Sequence, residues 1–381
     1  MTAASILVLI ILLSCLPYSL ADSLHAESNN LTYFTINAGG RNYVVTDEVL
    51  RGGWWNENAQ RDFRGGKTLF ETASSFNGKN AIFFIKKNFP DIWVLIKRIN
   101  KEVEKKPFDG VVLFHSGEKE KFSIGGARSG RDLDEEKLCL DILNALKAGE
   151  YRDITAQIRE IKPKDSQKIL AKLGLRGGYT TYFESNPSRE YNIGLALAKF
   201  NGLTVQNGQT VSFNKVVGPR TSERGFEEAK IIIDGEFVPG VGGGVCQAST
   251  TIFNAALLAG LDIDKSFNHS LAISYVPIGR DAMVSSAADL CFTNNTGGNI
   301  YIEADMVNAK DSKPGYAFVK IYGNKTNIKY KPRTEITESE LGENELIPAR
   351  KSNTYIEAWS GDKLVHSTLV RKSRYNAVTR D

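Results

Sequence analysis

The stretch Val241-Gly242-Gly243-Gly244-Val245-Cys246-Gln247-Ala248-Ser249-Thr250-Thr251, running into an apolar segment that ends at Gly260, constrains this chain more than any other. Three consecutive glycines allow a sharp turn and a close backbone approach, because without a Cβ each residue tolerates positive φ. The segment after them predicts a helix: Ile252, Ala255, Ala256 and Ala259 recur at three- and four-residue steps, Leu257 and Leu258 widen the stripe, and Gly260 stands at the stop position. Cys246 then falls at or near a helix N-terminus, where unpaired N–H groups and the helix dipole favour a thiolate. Downstream comes His269, one of 4 histidines in the chain, and the two residues form a candidate Cys-His site. The structural alternative is that a small, readily buried thiol fills space beside the glycine turn.

The segments GGGVCQASTTIFNAALLAGLDI and NHSLAISYVPIGRDAMV closely resemble the core signature of the VanW-domain family. Similarity extends upstream through Arg189-Glu190-Tyr191-Asn192-Ile193, Val211-Ser212-Phe213-Asn214, Val217-Gly218 and Gly225-Phe226. It continues downstream through Asp289 and Phe292-Thr293-Asn294-Asn295-Thr296, covering roughly residues 179–324. Members are bacterial cell-envelope proteins named for an accessory product of glycopeptide-resistance clusters, and some are linked to L,D-transpeptidation of peptidoglycan with the cysteine of this motif as nucleophile. The resemblance therefore implies an acyl-enzyme role for Cys246. One departure is visible: Asn207-Gly208-Gln209 stands where the family usually has Pro-Gly-Glu, which keeps a glycine turn but loses the glutamate.

Ser5 to Leu16 is an apolar run short for a membrane span but suited to a signal peptide, with Ser19-Leu20-Ala21 as cleavage positions and no basic residue before it. Residues 1–21 are thus expected to direct export, leaving a protein peripheral to the membrane at most. Leu12-Leu13-Ser14-Cys15 is a poor lipoprotein box because the apolar run continues past it. Without the signal, Cys139, Cys246 and Cys291 remain, an odd number and no disulfide framework. Cys139 and Cys291 read as core residues, and no Cys-x-x-Cys or His-x-x-x-His spacing suggests a metal. No cofactor is expected. A net charge of +4 is mild, the glycine turn lacks the Lys-Ser/Thr of a phosphate loop, and no basic cluster carries interleaved aromatics, so neither nucleic acid nor nucleotide is an expected partner.

Residues 30–176 read as a mixed domain. It has a hairpin around Gly39-Gly40, a strand at Ala81–Ile85, a helix over Asp91–Lys105, paired strands at Val111–Phe114 and Lys121–Ile124, and a helix beginning near Asp132. The order resembles the peptidoglycan-binding-like domain that often precedes VanW domains, which makes peptidoglycan the expected partner. Trp54 and Trp55 could stack on sugars or anchor a loop.

In the VanW-like domain, Asn192 is expected to cap a helix through Leu195, Leu197, Ala198 and Phe200, and Leu271–Val276 and Ala282–Val284 to be strands. Many short strands with few helices give an α+β class: a mixed N-terminal domain, then a strand-rich domain with a helix after the GGGVCQ turn. In residues 325–381, Lys329–Arg333 looks hinge-like, and Tyr355–Trp359 with Leu364–His366 forms a hairpin to which no chemistry is assigned.

Two functions follow. In the first, a Cys-dependent acyltransferase, Cys246 attacks, His269 moves the proton, Asp281 orients His269, Gly243, Gly244 and Gln247 frame the oxyanion, and Arg280 binds a substrate carboxylate. Arg280 and Asp281 could equally pair with each other at the surface. In the second, the chain is a non-catalytic envelope-binding module with a structural turn.

Overall fold

The computed structural model describes residues 34–46, 49–50, 77–148, 152–233, 236–342 and 345–379. The expected signal peptide and the Trp54-Trp55 patch lie outside them. The class is mixed α+β, and the described chain divides into two compact units, residues 1–110 with 126–163 and residues 111–125 with 164–381.

In the first unit, β1 (Phe34–Ala38) and β2 (Arg41–Val45) form the expected hairpin around Gly39-Gly40. Two helices follow, α1 (Gly78–Asn88) and α2 (Pro90–Val103). The strand expected at Ala81–Ile85 is instead the middle of α1: the Asn77 side chain caps it by accepting from Asn80 N (3.1 Å). Ala81 and Ile85, four residues apart, face the core while Phe83 is exposed, so a helical period was hidden inside a continuous apolar run. In α2, Ile92, Leu95, Ile96, Ile99 and Val103 are buried as their spacing predicts.

The hairpin of β3 (Val111–Phe114) and β4 (Phe122–Gly125) belongs to the second unit, where Phe122 meets Tyr301 edge-on at 5.2 Å and Phe114 lies 5.6 Å from Tyr322. Beside these rings, buried Glu303 accepts from Lys121 Nζ (2.8 Å), Gly117 N (3.1 Å) and Tyr322 OH (2.7 Å). Burial pushes this carboxyl up, but the donors more than offset it and hold it below the ordinary range. The first unit is completed by β5 (Gly130–Leu133), α3 (Glu135–Ala148), β6 (Ile154–Thr155) and β7 (Ile158–Ile161). There β6 runs parallel to β1, and β5 pairs with β7.

After a short α4 (Ser166–Leu170), β8 (Leu173–Phe183) runs straight through Gly177-Gly178. It is the edge of an antiparallel sheet ordered β8-β16-β15-β9, with β9 at Thr204–Val205, β15 at Ile300–Val307 and β16 at Gly315–Asn324. Helix α5 (Pro187–Ala198) begins earlier than expected. Its cap is Asn186, whose side chain accepts from Arg189 N, and Pro187 takes the first helical position where no donor is needed. Asn192 is inside the helix and buried. It donates through Nδ2 to Glu227 O (2.9 Å) and Gly243 O (3.0 Å) and accepts from Glu227 N, tying the glycine turn to the helix.

Next come β10 (Thr210–Ser212), a one-turn α6 (Phe213–Val217) and the hairpin β11 (Glu228–Ile233)–β12 (Glu236–Val241). The glycine turn then delivers the chain into α7 (Val245–Ala259), bounded by left-handed Gly244 and Gly260. This is the predicted helix, but nearly every face of it is buried, against β8, β16 and α5 among others. Strand β14 (Cys291–Thr293) pairs with β13 (Asp262–Lys265) on one side and with β10 on the other.

Between β13 and β14 the strands expected at Leu271–Val276 and Ala282–Val284 are absent; apart from a bridge between Phe267 and Met283, the segment is irregular. Around Arg280 and Ala282, side chains of α7 take the place of a neighbouring strand. Asn254 Nδ2 donates to Arg280 O (2.8 Å), Ser249 Oγ to Ala282 O (2.5 Å), and Ala282 N to Thr250 Oγ1 (2.9 Å).

The last strands are β17 (Ile328–Glu338), β18 (Glu345–Ile347), β19 (Arg350–Ser360), β20 (Lys363–Tyr375) and β21 (Val378–Thr379). The hinge-like Lys329–Arg333 is part of β17, an edge strand in the order β17-β19-β20, where Pro332 costs no interior ladder bond.

Candidate active site

Cys246 occupies the first turn of α7, and its position follows from the two glycines before it. Gly244 has φ of +105°, and a Cβ there would lie 2.9 Å from Arg189 O. A Cβ on Gly243 would lie 2.7 Å from the Ala229 carbonyl carbon and Lys230 O, both rigid backbone of β11. Gly243→Ala is therefore expected to push the hairpin off the turn, costing about 1–3 kcal/mol and lowering Tm by roughly 3–10 °C, measurable by calorimetry. Alkylation of Cys246 should slow in the same variant.

The Cys246 sulfur accepts from Val284 N at 3.5 Å and lies 3.4 Å from Val284 O. His269, buried, donates to Asp281 Oδ2 through both its backbone N–H and its Nδ1, each at 2.7 Å. With Nδ1 spent on the carboxylate, Nε2 is the nitrogen left to act on the Cys246 thiol. The structure thus brings Cys246, His269 and Asp281 into one chain of residues, hydrogen-bonded between His269 and Asp281 and electrostatically coupled between His269 and Cys246. His269 lies in a loop.

Electrostatics follow from that chain. Burial pushes the Cys246 thiol up, but His269, the Val284 amide and the Arg220 guanidinium outweigh it, so the thiol sits below its ordinary value. Burial alone would pull His269 down, yet Asp281 and Cys246 push it up to about 9. Asp281 would be raised by burial, but His269, Arg371 and Tyr375 hold it below the ordinary carboxylate range. The other free thiols among the described residues behave oppositely: burial pushes Cys139 up to about 12, and burial with Asp289 pushes Cys291 up to about 11.

Other expected site residues fall elsewhere. Gln247 is fully buried and already engaged, accepting from Arg189 Nη2 (2.8 Å) and donating to Thr181 Oγ1 and Tyr182 O. Arg280 donates from Nε to Asn254 Oδ1 (2.7 Å) and stacks over Tyr179 (5.0 Å), two helical turns along α7 from Cys246. It does not pair with Asp281. The cation whose field reaches the thiol is Arg220, held by Asn214 Oδ1 (2.5 Å) and the Phe213 ring. Neither Arg220 nor Arg189 forms an ion pair among the described residues. Tyr275, pushed up by burial and by Cys246, stays a neutral phenol near the sulfur. Nothing in the spacing of Arg220 or Tyr275 marks them out, because both reach the site through loops.

A family model described as VanW like protein matches residues 188–312. The uncharacterized protein YoaR of Bacillus subtilis (strain 168) is 36% identical over 213 residues, covering 55% of this chain and 68% of the relative. The chain belongs to the VanW family. No solved structure matches it. The VanW match contains Cys246, His269 and Asp281 but ends before β17, so the C-terminal ribbon lies beyond it.

Proposed function

We propose that this protein is an exported cysteine-dependent acyltransferase that acts on peptidoglycan peptide stems by L,D-transpeptidase-type chemistry. The observation that carries the reading is the Cys246–His269–Asp281 chain with a lowered thiol at a helix N-terminus. The substrate class and envelope location rest on the family resemblance and on the apolar leader.

In this mechanism the Cys246 thiolate attacks the carbonyl carbon of a stem amide, and the His269 imidazolium gives its proton to the departing amine as the C–N bond breaks. A thioester and neutral His269 remain. An acceptor amine then attacks the thioester, His269 takes the amine proton, and the thiolate leaves with its imidazolium partner restored. Water in place of the amine gives hydrolysis. The amides of Val245 and Gln247 are already bonded to Gly242 O and Gly244 O, so the oxyanion is received by the neighbouring amides of Gly244 and Cys246. Arg220, the part-buried cation beside the thiol, replaces Arg280 as the partner for a stem carboxylate.

Incubating the protein with purified stem peptides and measuring intact mass tests the proposal. The expected result is an adduct equal to the donor acyl group, lost on treatment with hydroxylamine and mapped to Cys246. A fast thiol with no adduct from any stem would reject the substrate class; no fast thiol at all would reject the enzyme.

A further inference from the structure

The strand β20 changes character halfway along. Lys363 to Leu369 is exposed throughout, whereas beyond Val370 the side chains of Arg371, Ser373 and Tyr375 turn to one buried face. The cause is a register shift in the ladder: Thr354 pairs with Arg371 but Tyr355 pairs with Leu369, which leaves Val370 as a bulge residue. A bulge re-aims the strand after it, and alternate residues beyond it share a face. All three inward residues are polar, an expensive choice for a buried face unless each finds partners.

The partners lie around His269 and Asp281. Tyr375 OH accepts from Gly279 N (2.9 Å), so its own proton is directed to Asp281 Oδ1 (2.6 Å). Arg371 Nη2 donates to Asp281 O (2.7 Å) and Gly279 O (3.2 Å) and stands 3.4 Å from Asp281 Oδ1. Its Nε donates to Ser373 Oγ (3.0 Å), and its guanidinium lies over Phe253 of α7. The same strand end grips the His269 loop from both sides: Asn268 Nδ2 donates to Arg374 O, and Asn376 N donates to Ser270 O, each at 2.7 Å.

One oxygen of Asp281 therefore serves His269 and the other serves β20. A carboxylate this deeply buried keeps its charge only if both oxygens are satisfied. We infer that Arg371 and Tyr375 are positioning residues of the Cys246 site: they hold Asp281 ionised and oriented toward His269, which makes the C-terminal ribbon part of the reactive unit. The inference rests on the proposed role of Cys246. It extends that site to residues beyond the span of the family match.

The test is the pH dependence of Cys246 carboxymethylation in the full-length protein, resolved peptide by peptide by mass spectrometry. Tyr375→Phe removes only the hydroxyl, and with it the donor to Asp281 and the acceptor for Gly279 N. Its midpoint should move up by about one unit, which slows labelling about tenfold at any pH below the midpoint. Arg371→Lys, which keeps the charge but not the fork, should shift it less, and Arg371→Gln more. The other groups facing the thiol, Arg220 and Tyr275, and Arg189, which acts on Tyr275, are unchanged in these variants. Were Tyr375→Phe not to fold, the same profile is read on Arg371→Lys. A lower Tm with an unmoved midpoint in whichever variant folds means a merely structural role and overturns the inference. Absence of a fast thiol in the unsubstituted protein would instead defeat the proposed function.

Discussion

Cys246→Ala is expected to abolish acyl transfer, with a loss on the order of 10⁴–10⁶ in kcat, the range seen when a nucleophile is removed from a catalytic unit. Thiol labelling should report the same residue independently. At neutral pH iodoacetamide should modify the unsubstituted protein at one fast position and the variant at none, because burial holds Cys139 near 12 and Cys291 near 11. The fold should survive, since Gly244 and Gly260 set the ends of α7 and the thiol contributes only weak bonds to Val284. Cys246→Ser separates charge from shape: the hydroxyl fits the same space but does not ionise beside His269. It should therefore keep Tm within a few degrees while remaining at the level of the alanine variant. Retention of transfer by either variant would remove Cys246 from the mechanism.

What was legible in the sequence was the local physics of the glycine turn and helix α7, because their signals are adjacent in the chain. Three glycines, a thiol and an apolar run ending in glycine read directly as turn, site and helix. His269 and Asp281 were legible through the motifs around them, though the strands expected after them at Leu271–Val276 and Ala282–Val284 do not exist. The reason is instructive. Around Arg280 and Ala282 the backbone partners are Ser249, Thr250 and Asn254 on a helix, and the sequence alone does not say whether a strand or a row of helix side chains supplies them. Asn192 misled in a similar way: an asparagine ahead of apolar residues reads as a cap, but Asn186-Pro187 does that work and Asn192 serves the turn from inside the helix. Arg371 and Tyr375 were invisible because their role depends on a single bulge at Val370, which composition does not announce.

Asp281→Asn should separate the acid-base function of the pair from the presence of its histidine. An amide cannot accept from both His269 Nδ1 and Tyr375 OH in the present geometry, so the imidazole loses the charge that raises it. His269 should fall from about 9 toward its ordinary value, and the Cys246 thiol should rise as its cationic neighbour is lost. By analogy with carboxylate-to-amide changes in other triads, the cost in kcat is about 10⁴. His269→Ala should be at least as severe and should move the thiol further. Linkage supplies a second readout with a definite sign. Because His269 is raised on folding, its charged form contributes stability that is complete below an ordinary histidine value and is lost as pH rises through about 9. Asp281, lowered on folding, contributes stability above the ordinary carboxylate range that is lost as pH falls through its depressed value. The lowered Cys246 thiol contributes with the opposite sign over the same range, so the His269 decline above pH 7 is read in thermal melts of Cys246→Ala, and adding Asp281→Asn should flatten it. An unchanged alkaline slope on that addition, together with an unmoved thiol midpoint in Asp281→Asn alone, would show that the carboxylate does not govern His269.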